Sequence, residues 1–323
     1  MKAVVATRWC DPRDLEYADV PTPTPGPDEV LIDVKAAGCN FPDILIVQGK
    51  YQKKPALPFS PGVEVSGTVR AAGAKARRFK PGDPVFALLG HGGYAEAAVA
   101  PERQVYALPP TLNFEEGAAF GLVYQTSYCA LVHRARLRAG EWLLVHGAAG
   151  GVGLSAVQIG KALGARVIAT AGAPEKLEVA RQAGADHLIN YRTEDWVTRV
   201  KEITGGGADV IYDPVGGDVF DGSSKCIGFE GRLLVIGFAG GRIPEIAANR
   251  ILLKNISVVG VHWGLYQERQ SPLVRQWMDE LLALVERGKL RPVIWKKFPL
   301  AHAAPALAAI ASRESFGKVV LVP

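Results

Sequence analysis

Short runs with a period of two dominate the first 120 residues. In residues 30–35 and 63–70, Val, Ile or Gly occupies every second position, and most of the positions between them are polar or charged. This alternation is typical of half-buried β-strands, whose successive side chains point to opposite faces of a sheet. Prolines at positions 21, 23, 25 and 27 argue against a helix or a central strand there. The pattern predicts an antiparallel, barrel-like domain.

The pattern changes near Glu115, where a predicted helical segment over residues 115–135 begins a series of alternating strand-like and helix-like segments. Alternating β and α units indicate a doubly wound parallel sheet. The predicted strands cover residues 143–146, 166–170, 187–189, 210–212, 233–236 and 256–261, and the predicted helices cover residues 152–163, 174–183 and 194–203.

The C-terminal segment returns to mixed structure. Ser271 and Pro272 begin a predicted helix that ends at Gly288, and a second helix is predicted over residues 301–311. A closing strand is predicted at residues 319–321. Because a chain of 323 residues exceeds what one hydrophobic core usually organises, we expect two domains.

Composition narrows the classes of protein without deciding between them. The net charge of +5 suits an anionic ligand, either a nucleotide or a nucleic acid, or simply a solvated basic surface. The four cysteines are far apart, so neither a disulfide scaffold nor a zinc lobe is indicated, and we expect a reducing, cytoplasmic setting. The N-terminus shows no secretory signal pattern. Residues 142–160 lack Asp, Glu, Lys and Arg, but their strand-turn-helix pattern argues against a membrane span.

A glycine-rich turn is the strongest local motif. Residues 147–153 read Gly-Ala-Ala-Gly-Gly-Val-Gly between a predicted strand and a predicted helix, which is the context that dinucleotide binding requires. Gly150 would let the backbone approach a pyrophosphate, and Gly153 would let helix and strand pack closely. The amides and dipole of the helix N-terminus favour the anion. The predicted pyrophosphate contacts are Ala149, Gly150, Gly151 and Val152.

The residues after the second strand of this unit indicate which nicotinamide cofactor binds. NAD enzymes usually place an Asp or Glu there to hold the ribose hydroxyls. Here the strand runs into Ala171, Gly172 and Ala173, with no acid, and Glu175 lies beyond them beside Lys176. The missing carboxylate removes repulsion against a 2′-phosphate, and Lys176, unless it is an ordinary solvated lysine, adds a charged contact. The sequence favours NADPH.

An ordered series of further motifs extends along almost the whole chain. Together with the glycine turn, the series resembles the NADPH:quinone oxidoreductases, the zinc-independent, zeta-crystallin-like branch of the medium-chain dehydrogenase/reductase superfamily. The motifs are Asn-Phe-Pro-Asp (40–43), Leu-Pro-Phe-Ser-Pro-Gly (57–62), Phe-Lys-Pro-Gly-Asp (79–83), Gly-Gly-Tyr-Ala-Glu (92–96), Glu-Lys-Leu (175–177), Gly-Ala-Asp-His (184–187), Ile-Asn-Tyr (189–191) and Gly-Arg-Leu (231–233).

The resemblance implies an α/β protein of two domains without zinc. Residues 1–125 and 262–323 would form a GroES-like, mainly antiparallel β catalytic domain, and residues 126–261 a Rossmann domain, with the active site in the cleft between them. Zinc-dependent relatives have a cysteine ligand at the position of Asn40 and a histidine ligand at that of Val63. Cys39 is one residue out of register, so we expect a small buried residue there and no metal.

The same resemblance implies roles for individual residues. Lys176 and Tyr191 would lie near the 2′-phosphate, and Gly172 near the ribose. Asn40, which would also contact the cofactor, and Tyr51 would line the substrate side, unless Tyr51 is only a packed loop aromatic. The nicotinamide half would be flanked by Thr126, Gly237, Phe238 and Val261. The preferred substrate stays open for two reasons. Position 45 is leucine where some relatives have tyrosine, and the segment 263–266 would reshape the substrate pocket.

The implied reaction is hydride transfer from NADPH to a quinone or another conjugated carbonyl compound. Asn40 and Tyr51 are the candidates for hydrogen bonds to the developing oxyanion. Two alternatives stay open. One is a reductase of activated C=C bonds in enones or enoyl thioesters, and the other is a non-catalytic NADPH-binding protein with a structural or nucleic-acid-binding role.

The resemblance also implies a homodimer. The predicted strand at residues 256–261 would pair as an edge strand with its copy in the second subunit. The alternative is an edge strand that is capped within the monomer.

Overall fold

The computed structural model describes all 323 residues and contains two compact units. Unit 1 comprises Met1–Leu122 and Arg291–Pro323, and unit 2 comprises Val123–Leu290. The strands are β1 (Lys2–Val5), β2 (Glu16–Asp19), β3 (Glu29–Cys39), β4 (Glu64–Ala72), β5 (Pro84–Leu88), β6 (Ala97–Pro101), β7 (Val105–Ala107), β8 (Trp142–Val145), β9 (Arg166–Ala171), β10 (His187–Asn190), β11 (Ala208–Asp213), β12 (Ile227–Val235), β13 (Ser257–Gly260), β14 (Ile294–Pro299) and β15 (Lys318–Val322). The helices are α1 (Phe41–Val47), α2 (Phe114–Ala118), α3 (Gly121–Tyr128), α4 (Gly151–Ala162), α5 (Pro174–Gln182), α6 (Trp196–Thr204), α7 (Gly217–Cys226), α8 (Ala248–Lys254), α9 (Trp263–Glu268), α10 (Pro272–Glu286) and α11 (Ala303–Ala311).

Unit 1 is built on a seven-stranded sheet in which β3 is the central strand. The sheet order is β14-β15-β3-β4-β5-β7, and β6 pairs with β3 off this path. Every pairing except the parallel one between β14 and β15 is antiparallel. Val30, Ile32 and Val34, which the period of two placed on one face, are all buried in the core of this unit. The predicted mainly antiparallel domain is confirmed.

Unit 2 contains a six-stranded parallel sheet in the order β10-β9-β8-β11-β12-β13. Each strand predicted between residues 143 and 261 forms, as do the three helices α4, α5 and α6 that were predicted between strands. The order of strands reverses direction between β8 and β11, which is the switch point of a doubly wound sheet. The predicted Rossmann-type sheet is therefore confirmed.

Three helices of unit 2, α7, α8 and α9, are not predicted from sequence. The α7 segment contains glycine, aspartate and two serines, which favour helices weakly. Tertiary packing makes it helical: a Cβ added at Gly222 would lie 2.4 Å from the ring of Trp196, so α7 and α6 pack closely at this point. Local propensity does not reveal such contacts.

Helices α9 and α10 belong to unit 2, whereas the sequence placed residues 262–290 in the catalytic domain. Gln125 explains the difference, because its side chain contacts both helices. Its Oε1 accepts a hydrogen bond from Trp263 Nε1 (3.1 Å), and its Nε2 donates to the Val274 carbonyl (2.8 Å). The ring of Trp277 packs 5.2 Å from that of His133. The chain re-enters unit 1 at Arg291 instead of residue 262.

The uncharged run at residues 142–160 forms β8, a turn and most of α4, as its pattern predicted. None of the helices combines the length and the apolar character needed to cross a lipid bilayer.

A buried histidine joins three elements directly before the glycine turn. His146 Nδ1 lies 3.0 Å from Thr170 Oγ1 on β9, and its Nε2 lies 3.0 Å from Ser223 Oγ on α7. Ser223 donates its own proton to the Val219 carbonyl, so it accepts from His146 Nε2–H, and Nδ1 accepts from Thr170. Burial lowers the pKa of His146 to about 3, which keeps the ring neutral.

This depressed pKa predicts an acid-sensitive fold. Below pH 6.5, the ordinary pKa of histidine, the unfolded chain takes up a proton at His146 that the folded chain refuses until its pKa of about 3. The stability present above pH 6.5 is therefore lost as the pH falls, by about 1.4 kcal/mol per pH unit. Denaturant unfolding between pH 7 and pH 5 should show this extra slope in the wild type and not in His146→Asn. Parallel pH dependences of the two proteins would contradict the assignment.

Candidate active site

Most of the residues predicted to bind the cofactor in unit 2 lie at or just beyond one edge of its parallel sheet. Parallel strands present their carboxyl ends at the same edge, where ligands of such sheets bind. Gly147 follows β8, Gly172 follows β9 and Tyr191 follows β10. Gly237 and Phe238 lie shortly after β12, and Val261 follows β13, while Thr126 lies on α3. The strand order puts the Gly172 and Tyr191 positions on one side of the glycine turn and those of Gly237 and Val261 on the other.

The glycine turn packs so tightly that one of its positions accepts no side chain. A Cβ at Gly153 would lie 2.3 Å from the Gly147 carbonyl oxygen, closer than real atoms approach. Gly153 therefore has the packing role that the motif predicts. Helix α4 begins at Gly151 with no side chain capping it and no acidic residue in its first turn. The first amides of α4 have no acceptor within the helix, so they offer donors and a positive dipole end to an anion.

The tip of β9 is crowded by residues that follow β10. A Cβ at Gly172 would lie 2.6 Å from the Tyr191 hydroxyl oxygen and 3.0 Å from Arg192 Nε. No aspartate or glutamate fits at this position unless both side chains move. Lys176 lies in the first turn of α5, directly after the same tip. The sequence predicted Tyr191 and Lys176 at this tip but not Arg192, for which adjacency to Tyr191 was the one available signal.

On the other side of the glycine turn, Asp213 shapes the turn after β11. Its Oδ1 accepts hydrogen bonds from the amides of Val215 (2.8 Å) and Gly216 (2.9 Å), and burial raises its pKa. Gly216 has a φ of +70° and packs so near the Phe238 ring that a Cβ there would lie 3.0 Å from it. Phe238 remains 40% exposed. Sequence reasoning also missed Asp213, whose Asp-Pro-Val-Gly-Gly context marks a turn.

In unit 1, Asn40 lies in a buried network of charged and polar groups. Lys318 Nζ donates to Glu64 Oε1 (2.7 Å), to the Cys39 carbonyl (3.0 Å) and to Asn40 Oδ1. Asn40 Nδ2 donates to Glu64 Oε1 (2.9 Å) and, through a longer bond, to the Gly38 carbonyl (3.3 Å). Because an ammonium only donates and a carboxylate only accepts, these partners fix the orientation of the amide. Asn40 itself is 5% exposed.

A second layer of this network lies beneath Asn40. Asp43 Oδ2 accepts one hydrogen bond from the backbone amide of Asn40 and one from the Tyr94 hydroxyl, both at 2.8 Å. Burial raises the pKa of Asp43 to about 7 and that of the Cys39 thiol to about 12. Cys39 is a buried residue, as expected. No three His, Cys, Asp or Glu side chains lie close enough together to hold a metal ion.

The other residues predicted on the substrate side lie outside the Asn40 network and belong to different units. Tyr51 is half-buried and packs against the small cluster of Ala6, Ile46 and Phe59 in unit 1. Trp263 is buried in unit 2, while Leu265 stays 38% exposed.

Similarity to known proteins identifies the family. The chain is 42% identical, over 92% of its own length and 82% of the relative's, to the quinone oxidoreductase-like protein 2 homolog of Nematostella vectensis. The chain belongs to the quinone oxidoreductase branch of the medium-chain dehydrogenase/reductase superfamily. Two family models match its halves: the alcohol dehydrogenase GroES-like domain over residues 26–110 and the zinc-binding dehydrogenase model over residues 151–280.

The chain also resembles solved structures closely. The Escherichia coli quinone oxidoreductase complexed with NADPH superimposes with a TM-score of 0.91, is 31% identical, and both chains are covered completely. The CurK enoyl reductase superimposes with a TM-score of 0.90 at 29% identity, covering 99% of this chain and 98% of that one. The family fold, with its Rossmann and GroES-like parts, is thus shared by proteins whose names denote different reductions.

The Lys318–Glu64 pair predicts a strong and asymmetric response to mutation. Lys318→Met leaves the Glu64 carboxylate buried without its cation and should lower the free energy of unfolding by about 3–5 kcal/mol. The double variant Lys318→Met/Glu64→Gln removes both charges and should recover a large part of that loss. Urea unfolding of the wild type, the single variant and the double variant measures both effects. A single variant that loses less than about 1 kcal/mol would show that the pair is solvated.

Proposed function

We propose that this protein reduces quinones with NADPH by hydride transfer, without zinc. The observation that carries the proposal is the strand tip at Gly172, which has no acid and is crowded by the Tyr191 hydroxyl and the Arg192 guanidinium. A carboxylate at this tip would hold the ribose hydroxyls of NAD, whereas neutral and cationic donors suit a 2′-phosphate. Its relatives named as quinone oxidoreductases, including one structure in complex with NADPH, support the same cofactor and substrate class.

The residues of unit 2 would bind the cofactor in order along the sheet edge. Ala149, Gly150, Gly151 and Val152 contact the pyrophosphate, with the unpaired amides at the start of α4 as its donors, and Lys176 and Tyr191 bind the 2′-phosphate beside Gly172. Thr126, Gly237, Phe238 and Val261 flank the nicotinamide ring. NADPH supplies the hydride, and a proton from solvent completes the reduction of the quinone to a hydroquinone.

On the substrate side we assign hydrogen-bonding roles to Asn40, which also contacts the cofactor, and to Tyr51. The Asn40 amide hydrogen that reaches the Gly38 carbonyl does so over 3.3 Å, the longer of its two bonds, so it is the one available to a substrate oxygen. Lys318 withdraws electron density from that amide through its contact with Oδ1, which makes the amide a better donor. Positioned donors of this kind stabilise negative charge as it develops on the substrate oxygen.

Two features of unit 1 support a reaction without zinc. The Lys318 ammonium already places a positive charge against Asn40 and Glu64, and a second cation there would be repelled. Cys39, the neighbouring thiol, is buried and lies one position before Asn40, which stands where zinc-dependent relatives have their cysteine ligand.

The second candidate is a reductase of activated C=C bonds in enones or enoyl thioesters. The likeness to the CurK enoyl reductase over 99% of this chain favours it. Hydride delivery to a conjugated C=C bond leaves negative charge on the carbonyl oxygen, so the same donors would serve either substrate.

The decisive experiment compares substrates and cofactors on metal-free protein. After exhaustive treatment with a chelator and a metal analysis, NADPH and NADH oxidation is measured with a benzoquinone, an enone and an enoyl thioester. We expect quinone reduction with a preference for NADPH of about tenfold or more, which corresponds to one well-placed charged contact of about 1.4 kcal/mol.

Three other outcomes would change the assignment. A preference for NADH, or activity that chelation abolishes and zinc restores, would contradict the proposal. Faster turnover of the enone or the thioester would favour the second candidate. Tight NADPH binding with no turnover of any substrate would indicate a non-catalytic protein.

We also propose a homodimer formed through β13. This strand is the last in its sheet, so one row of its backbone groups has no partner within the sheet. Apolar side chains of α8, which precedes β13, and of the adjacent strand β12 are strongly exposed, with Leu252 at 72%, Leu253 at 75% and Phe229 at 70%. Pairing of β13 with a second copy would satisfy the edge and cover apolar surface, and no nucleic acid or membrane partner is required.

Val258 offers a clean test of this pairing. The Val261 amide donates inward to Val235 (3.0 Å), so by the period of two the Val258 amide points to the free edge. Val258→Pro removes that donor and should convert the dimer to a monomer, whereas Val258→Thr, which keeps the amide and the volume, should remain dimeric. Light scattering after size-exclusion chromatography measures the mass. A monomeric wild type, or a folded proline variant that stays dimeric, would refute the model.

For the location we propose the cytoplasm. All four cysteines are free, and three of them are buried, as suits a protein that works in a reducing compartment.

A further inference from the structure

Arg192 is held next to the tip of β9 by the turn that follows β10. Its backbone amide donates to the Asn190 side-chain oxygen (3.0 Å), and the preceding Tyr191 amide donates to the Ala171 carbonyl (3.2 Å). These bonds fix residues 191 and 192 beside the neighbouring strand. As a result, Arg192 Nε lies 3.0 Å from the point where a Cβ of residue 172 would be.

The charge of Arg192 has no partner in the protein. Its guanidinium makes neither an ion pair nor a hydrogen bond, and its side chain lies on the surface. Two arginines on nearby helices of unit 2 are paired by contrast, Arg181 with Glu178 and Arg199 with Glu202. Glu194, the acid nearest to Arg192 along the sequence, accepts a hydrogen bond from the Asn190 backbone amide (2.8 Å). Its Oε2 lies 3.7 Å from Arg199 Nε. The loop therefore presents an unneutralised cation at the strand tip.

We propose that Arg192 binds the 2′-phosphate of the cofactor together with Lys176 and Tyr191, and that it determines the preference for NADPH over NADH. This inference rests on the proposed function. A guanidinium offers paired donors that match a phosphate monoester, and no internal carboxylate has to be displaced before it binds. The same side chain occupies the space that an acid at position 172 would need. Arg192 thus lies where the residue that selects NAD would be and supplies the charge that selects NADP.

The test uses binding and not turnover. Calorimetry measures the affinities of NADPH, NADH and the fragments 2′,5′-ADP and 5′-AMP for the wild type, Arg192→Gln, Arg192→Lys and Arg199→Gln. Arg192→Gln should weaken NADPH and 2′,5′-ADP by about tenfold to a hundredfold, the range of one charged hydrogen-bonding contact, and leave NADH and 5′-AMP unchanged. Arg192→Lys should recover part of the loss because it keeps the charge.

Arg199→Gln is the matched control, because it removes one positive charge from the same unit at an arginine that is already paired. It should leave all four affinities unchanged. The loss in Arg192→Gln should also shrink as salt rises, since screening weakens the contact in the wild type. Circular dichroism confirms that each variant is folded.

The results that would contradict the role of Arg192 differ from those that would contradict the proposed function. Equal weakening of NADPH and NADH by Arg192→Gln would mean that Arg192 contacts the adenine and not the phosphate. Unchanged NADPH affinity, with the wild-type preference for NADPH intact, would overturn this inference alone. A wild type that binds NADH more tightly would instead overturn the proposed function.

Discussion

The tight approach of α4 to the turn after β8 is the constraint on which the rest of the site depends. Gly153 lies so near the Gly147 carbonyl that even one methyl group would separate helix and turn. That contact aims the first amides of α4 at the carboxyl edge of the sheet, where their dipole and unpaired N–H groups can meet an anion. His146, neutral and bonded to Thr170 and Ser223, holds the same turn from the interior.

Charge is used in opposite ways in the two units. In unit 1 the Lys318 ammonium is buried and fully neutralised, and its function in the structure is to orient the amide of Asn40. In unit 2 the Arg192 guanidinium is exposed and unneutralised beside a strand tip that has no side chain of its own. A buried charge must find its partners within the fold because desolvation is costly, whereas a surface charge can stay unpaired until a ligand arrives. The first arrangement favours a fixed geometry, and the second favours binding of an anion.

Strand order converts this local chemistry into a binding site for a molecule with two ends. Because the sheet order reverses between β8 and β11, the loops after β9 and β10 lie on one side of the glycine turn and those after β12 and β13 on the other. A dinucleotide has its phosphates in the middle and a nucleoside at each end, so it matches this succession. Asp213 stiffens the loop after β11, against which Phe238 packs, by accepting two backbone amides.

The sequence by itself determined the features that depend on neighbours along the chain. The period of two located the strands of unit 1, the alternation of segment types predicted the parallel sheet, and the glycine spacing located the tight turn before α4, because each is a local steric requirement. The family motifs added Lys176 and Tyr191. Only the tertiary structure decided that Lys318 contacts Asn40, from which it is separated by 278 positions, and that Arg192 lies against Gly172. It also decided that α9 and α10 pack in unit 2, because Gln125 bonds to both. Such contacts join residues that carry no common local signal, so they arise from how the elements pack and not from any one segment.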